Sequence, residues 1–294
     1  MFGNHLRWLC SAPALLEHPS CFALQRYLPA DYRERISAIE QSSALRARFC
    51  ALREQRLGVY FEALYACMLE YVLEWRILGR NIQIVDKNRT LGELDLVLHN
   101  RVDDCIEHHE IAVKFYLGHP QAGSPDADWV GPGRKDRLSR KVERLLGHQR
   151  QVRTHPATMA ACAALDIEMP TTTKTLMMGY LFYPVSATVN APDGVTAAHL
   201  KGDWVRGSEL TDQGIDNTVV LQKPDWLGSW QQPSAPQAQA SAAAVRAVVS
   251  GAAPVLLARL NQDSTSGHWS EQSRFFCVPD DWPQVKSSAA ERKS

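Results

Sequence analysis

GELDLVLHNRVDDCIEHHEIAVKFYL, residues 92–117, decides the fold of this chain. It holds two runs of alternating character, GELDLVLHN (92–100) and CIEHHEIAVKFYL (105–117), joined by a polar turn at residues 101–104. Alternation with period two predicts strands. A third run, NIQIVDKN (81–88), lies just before them, so the stretch predicts a three-stranded meander. Residues two apart share a face of a strand. Leu94, Leu96 and Leu98 therefore form one face of the second strand, and Glu93, Asp95 and Val97 the other. On the third strand Ile111, Val113, Phe115 and Leu117 oppose His108, Glu110, Ala112 and Lys114. If both greasy faces meet one core, Asp95, Glu110 and Lys114 gather on the opposite side.

Outward from the meander, the periodicity changes. Leu57, Tyr60, Phe61, Leu64, Tyr65, Met68, Leu69 and Val72 recur at three- and four-residue steps, which predicts a long amphipathic helix that Gly79 ends. GHPQAGSPDADWVGPG (118–133) reads as a loop, RKDRLSRKVERLLGHQRQVRTH (134–155) as a second helix and KTLMMGYLFYPV (174–185) as a buried strand. Helix, three strands, helix, strand is the order of an α/β core with a mixed central sheet flanked by helices, over residues 55–185. Residues 1–54 form an N-terminal helical flank, and residues 186–284 a C-terminal extension of shorter elements. QQPSAPQAQASAAA (231–244) reads as a flexible connector and residues 285–294 as a disordered tail.

Composition narrows the function classes. Lys plus Arg and Asp plus Glu number 32 each in 294 residues, so no global field draws the chain to nucleic acid or to a membrane, and any basic surface is local. The seven cysteines are scattered without a Cys-x-x-Cys pair, which reads as free thiols in a reducing cytoplasm. No signal peptide and no apolar stretch of membrane-spanning length is present, so the expectation is a cytoplasmic protein with no membrane partner.

Two carboxylates a few ångströms apart in a partly desolvated site repel by about 4 kcal/mol at an effective dielectric near 20. A hard divalent cation resolves that conflict, and one or two carboxylates with waters suit Mg²⁺ or Mn²⁺. A neighbouring lysine can orient an attacking water. The plainer reading of Asp95, Glu110 and Lys114 is a solvated sheet face, where cross-strand pairs contribute only about 0.2–1 kcal/mol each.

GELD followed on the next strand by EIAVK resembles the PD-(D/E)XK nuclease superfamily. The longer strings RLGVYFEAL, GELDLVL, HHEIAVKFYLG and DRLSRKVERLLGHQ resemble a bacterial family known as domain of unknown function 1853. The first resemblance implies a restriction-endonuclease-like fold and a metal-dependent phosphodiester hydrolase acting on DNA or RNA. It also implies metal binding by Asp95, and water positioning by Lys114. The acid of that pattern stands two residues before the lysine, where this chain has Ala112; Glu110, on the same strand face, is the carboxylate that could replace it. Glu62 matches an acid that many superfamily members carry on the first core helix. Ala112 also admits the competing class, a nucleic-acid-binding or scaffold module that keeps the fold without turnover.

On the second helix, Arg134, Arg137, Lys141, Arg144 and His148 make a basic stripe beside an apolar one of Leu138, Val142, Leu145, Gln149 and Val152. The basic stripe would contact phosphates without sequence choice; its plain reading is a solubilising face. Gln149, an amide on the docking face, needs partners, and resembles a glutamine found near the site in some exonuclease branches. His108, His109 and His119 do not read as zinc ligands, because adjacent histidines on a strand point to opposite faces. No phosphate loop, dinucleotide fingerprint or nucleophile elbow is present.

Overall fold

In the computed structural model of the chain, residues 2–124 and 126–284 are described, without the side chains of residues 148–154 and Asp212. The N-terminal segment forms α1 (Phe2–Ser11), α2 (Tyr32–Gln41) and α3 (Ser43–Ala51). Ser42 caps α3 by accepting from the Leu45 amide at 3.3 Å, which satisfies one of the open N–H groups of the first turn. Next come α4 (Leu57–Cys67), prolonged by one π turn at Met68–Val72, and the strands β1 (Arg76–Asp86), β2 (Arg89–Asn100) and β3 (Cys105–Pro120). A short β4 (Ala127–Val130), the helices α5 (Leu138–Thr154) and α6 (Pro156–Ala164), and β5 (Thr172–Pro184) complete the central part. The C-terminal part contributes β6 (Leu200–Arg206), α7 (Asp212–Ile215), β7 (Thr218–Leu221), β8 (Gln231–Gln232), α8 (Ala238–Val249), β9 (Val255–Gln262) and β10 (Trp269–Val278).

These strands make one ten-stranded mixed sheet in the order β1-β2-β3-β5-β6-β10-β9-β7, with β4 on β3 and β8 on β10. β1, β2 and β3 pair antiparallel, as tight turns require. β3 and β5 pair parallel from Glu107↔Thr172 to Leu117↔Phe182, and the crossover between them is α5 with α6. β5, β6 and β10 continue the parallel run, so the sheet passes without interruption into the C-terminal extension.

The core explains that continuity. Trp8 of α1 stacks on Tyr180 of β5, and Tyr180 on Phe115 of β3, with centroids 6.4 and 5.8 Å apart. From the C-terminal part, Trp226 packs edge-on against Phe115, and Phe276 edge-on against Trp226 and Phe182. The N-terminal flank and the extension thus share one hydrophobic cluster with the meander. Within it, the buried His109 accepts from the Tyr65 hydroxyl at Nδ1 (2.7 Å) and donates from Nε2 to Glu107 (2.8 Å). The carboxylate can only accept, which fixes the tautomer. Burial pushes the Glu107 carboxyl up, but its bonds to His109 and Asn100 outweigh that and hold it below its ordinary value.

Several expectations change. Gly79 does not end α4; it lies inside β1 at a register shift, where a Cβ would stand 2.6 Å from Ile82 and 2.9 Å from Ile167. The chain leaves the helix through the π turn and Glu74, at φ 57°. Residues 118–133 are not all loop, since β4 pairs with the end of β3 from Leu117↔Val130 to Pro120↔Ala127. The second helix starts at Leu138 and not at residue 134, because the backbone bonds Gly131–Asp136 (2.9 Å) and Arg134–Gly131 (2.8 Å) close a tight turn first. Residues 231–244, expected as a connector, hold β8 and half of α8, which buries Ser241, Val245 and Val248. The expected tail at 285–294 lies outside the described residues. All seven cysteines are free, and among the described residues no helix is long and apolar enough to cross a membrane.

Candidate functional site

The site begins where β2 parts from β3. Their ladder runs from Asn100↔Cys105 to Leu96↔His109 and stops there. One residue further along β2, the Asp95 carboxylate accepts the Ile111 amide at 3.2 Å, so a side chain takes over the hydrogen bond that a neighbouring strand would otherwise accept. Asn81 of β1, between the pairs Arg80↔Leu96 and Ile82↔Leu94, holds a left-handed φ of 51°. Alternation breaks at this point. Leu96 and Leu98 enter the main core with α4, whereas Leu94 packs with Val97 and Cys162 on the other side, which corrects the expected single face of Leu94, Leu96 and Leu98.

On β3, Ala112 and Tyr116 cluster with Leu138 and Leu145 of α5 on the face opposite the main core. Glu110 belongs to that face by alternation, one pleat from Ala112. Leu138 and Leu145 are buried, and Lys141 stands three residues after one and four before the other, so it projects from the same side of α5 toward β3. The electrostatics follow from this placement. Burial raises the Glu110 carboxyl from 4.5 to about 7; Asp95 adds to the rise, while Lys141 and Arg144 oppose it. Asp95 is itself pushed up, by burial first, then Glu93, against the Ile111 amide and Lys141. Burial likewise raises Glu62 of α4, with Asp95 and Glu93 adding and Asn81 opposing through a hydrogen bond. Burial lowers Lys141, as do Lys114 and Arg144, against Asp95 and Glu110. Asp95, Glu110, Lys141 and Arg144 thus form one electrostatic group, with Glu62 beside Asp95 in a cleft of about 600 Å³.

The sequence matches the family described as Domain of unknown function (DUF1853) over residues 4–278. The chain belongs to that family. The matched span runs from α1 to the end of β10, so in this DUF1853 chain flank, core and extension form one family unit, as they share one hydrophobic cluster. No curated protein and no solved structure gives a significant match.

Other expected residues stand differently. Lys114 donates to Asp136 at 2.7 Å, a partner that the strand pattern could not reveal because it lies in the turn before α5. Arg134 and Arg137 are not on the helical stripe, since both precede α5. Arg134 pairs with Asp281 at 2.6 Å and donates to the Gln284 carbonyl; Arg137 pairs with Asp128 at 3.0 Å. The side chains of Gln149 and His148 lie outside the described residues. Glu93 accepts from Gln83 across the β1–β2 pair, a structural contact. His108 is buried, with its imidazole lowered to about 3 by burial, and His119 packs edge-on against Trp282. Among the described residues no group of three or more His, Cys, Asp and Glu could hold a metal. Asp95 and Glu110 carry carboxylate oxygens, the donor type that Mg²⁺ or Mn²⁺ takes together with waters, and not the ligands of a closed zinc cage.

Glu110 makes a testable contribution to stability. In the folded chain it keeps its proton up to about pH 7, and in the unfolded chain it releases it near 4.5. Between those values the folded state binds more protons, so stability falls as pH rises, by at most about 3 kcal/mol. Urea midpoints at pH 5 and pH 7.5 should differ in the parent and converge in Glu110→Gln, and Mg²⁺ should restore the parent at the higher pH. An equal slope in the variant would assign the pH dependence to other groups.

Proposed function

We propose that this protein is a metal-dependent phosphodiester hydrolase acting on DNA or RNA, built on a restriction-endonuclease-like core. The observation that carries the reading is the desolvated pair Asp95 and Glu110 at the break between β2 and β3, faced by Lys141 and Arg144 of α5. The order α4, β1, β2, β3, α5, β5, with β3 parallel to β5, is also the order of the PD-(D/E)XK core. Ala112 fits this account. It clusters with Leu138 and Leu145, so a carboxylate there would be buried under α5, and Glu110 supplies the acid one pleat away.

Asp95 and Glu110 would hold Mg²⁺ or Mn²⁺, which supplies a water of lowered pKa and neutralises charge on the phosphoryl oxygens. Lys141 orients the water, and Arg144 binds a non-bridging oxygen of the substrate. Glu62 accepts a proton or a water hydrogen bond from the cleft side. Lys114 joins them only after exchanging Asp136 for the substrate phosphate, and this engagement of the expected lysine favours a second reading, a binding module without turnover.

Labelled single- and double-stranded DNA and RNA, incubated with the protein in Mg²⁺, Mn²⁺ or EDTA, separate the two. Cleavage in the cations alone, reduced at least about 100-fold by Glu110→Gln, is the expected result, since a bound cation stabilises the transition state by several kcal/mol. Binding of nucleic acid without cleavage under any of these conditions would leave the module standing and remove the hydrolase.

A further inference from the structure

The Asp95 cleft does not end at the meander. Its lining includes Arg48 of α3 and Gln55, and Gln55 also lines a second hollow of about 570 Å³ with Lys223 and Glu54. Pro132, Gly133, Ala253 and Pro254 line that second hollow and a third of about 320 Å³, which Lys135 borders. The three hollows thus run in a row across the N-terminal flank, the turn before α5 and the C-terminal extension. Each alone has the volume of a small-ligand site. Joined and open to solvent, they suit a chain better than a compact molecule.

Charge along the row is selective. Arg80, Arg53 and Arg134 each face into it but are matched by Glu70 (2.6 Å), Asp225 (2.5 Å) and Asp281 (2.6 Å). Arg48, Lys223 and Lys135 are exposed, and among the described residues none of them makes an ion pair. Lys223 is held over the Trp226 ring, its ammonium 4.5 Å from the centroid, and not by a carboxylate. Three unmatched cations, one to each hollow, are spaced along the path and do not converge on a point. A ligand with charges at intervals matches that spacing, whereas one phosphate group would engage only one of them.

We propose that this row of hollows is a trench that guides the backbone of a nucleic-acid strand to Asp95 and Glu110, with Arg48, Lys223 and Lys135 each contacting a phosphate. The proposal rests on the hydrolase reading for its substrate class and gives a role to the segments flanking the meander.

Fluorescence anisotropy of labelled oligonucleotides, with the full-length protein in EDTA, tests it without any cleavage step. The parent should bind, and the logarithm of its affinity should fall linearly with that of salt concentration. Replacing Arg48, Lys223 and Lys135 together by Gln should reduce the slope by about 2 on a single strand and nearer 3 on a duplex, at roughly 0.7 and 0.9 per lost phosphate contact. The circular dichroism of the variant should match the parent, and its urea midpoint should fall only by the lost contact of Lys223 with the Trp226 ring. Failure of the parent to bind, an unchanged slope in the triple variant, or equal competition by polyglutamate would each remove the trench. Parent cleavage together with an unchanged slope would leave the hydrolase reading intact. The expected slopes with no cleavage would keep the trench and discard the hydrolase.

Discussion

Gly179→Ala should leave the chain unable to fold. Gly179 stands opposite Lys114 in the parallel pair β3–β5, with φ 140°, a conformation that residues with a Cβ rarely adopt. A Cβ built there lies 1.7 Å from the Lys114 carbonyl oxygen and 2.7 Å from its carbon. Neither atom is the end of a flexible side chain, so relief requires the two strands to separate at the centre of the sheet. Such a change costs more than about 4 kcal/mol, against a total stability of about 5–15 kcal/mol for a typical domain. Soluble yield and urea denaturation measure the loss. Gly58→Ala is the control, because a Cβ on that helical glycine meets nothing, and alanine should be neutral or stabilise by up to about 1 kcal/mol. A Gly179→Ala protein with the parental midpoint would mean that the β3–β5 seam is looser than its register indicates.

The same seam shows what the sequence makes legible. β1, β2, β3 and β5 announce themselves by alternation or by an unbroken apolar run, because each is long and buries consecutive residues of at least one face. β4 does not, since four residues framed by Gly and Pro carry no period, and only the overhanging end of β3 makes them a strand. α8 was obscured by the prolines at 233 and 236, whereas the alanine-rich run after them is the strongest helix former available. The face reading put Asp95 and Glu110 on one side of the meander, but it missed the break at Asn81 that turns Leu94 away from Leu96. It also could not separate Lys141 from Arg134 and Arg137. That distinction depends on where α5 begins, and the backbone bonds of the turn at residues 131–136 set that point. Asp136 and the Tyr65 partner of His109 come from distant parts of the chain, and no local pattern points to them.

Asp95→Asn separates function from architecture most sharply. The amide oxygen of asparagine can still accept the Ile111 N–H, so the closure of β3 against β2 survives the change. What disappears is a negative charge that burial already disfavours and that Glu93, Glu62 and Glu110 repel. Stability near neutral pH should therefore hold or rise, by up to about 1 kcal/mol. Cleavage in Mg²⁺ should fall by about 1,000-fold, since losing a charged ligand removes several kcal/mol of transition-state stabilisation. Opposite movements of the two quantities are the signature of a residue kept for chemistry at a cost in stability. Urea midpoints and initial rates on the same preparation would show it. If the variant cleaves at the parental rate, Asp95 is not a metal ligand. If rate and midpoint fall together, its part is to hold the break between the strands, and the functional carboxylates must be sought elsewhere in the cleft.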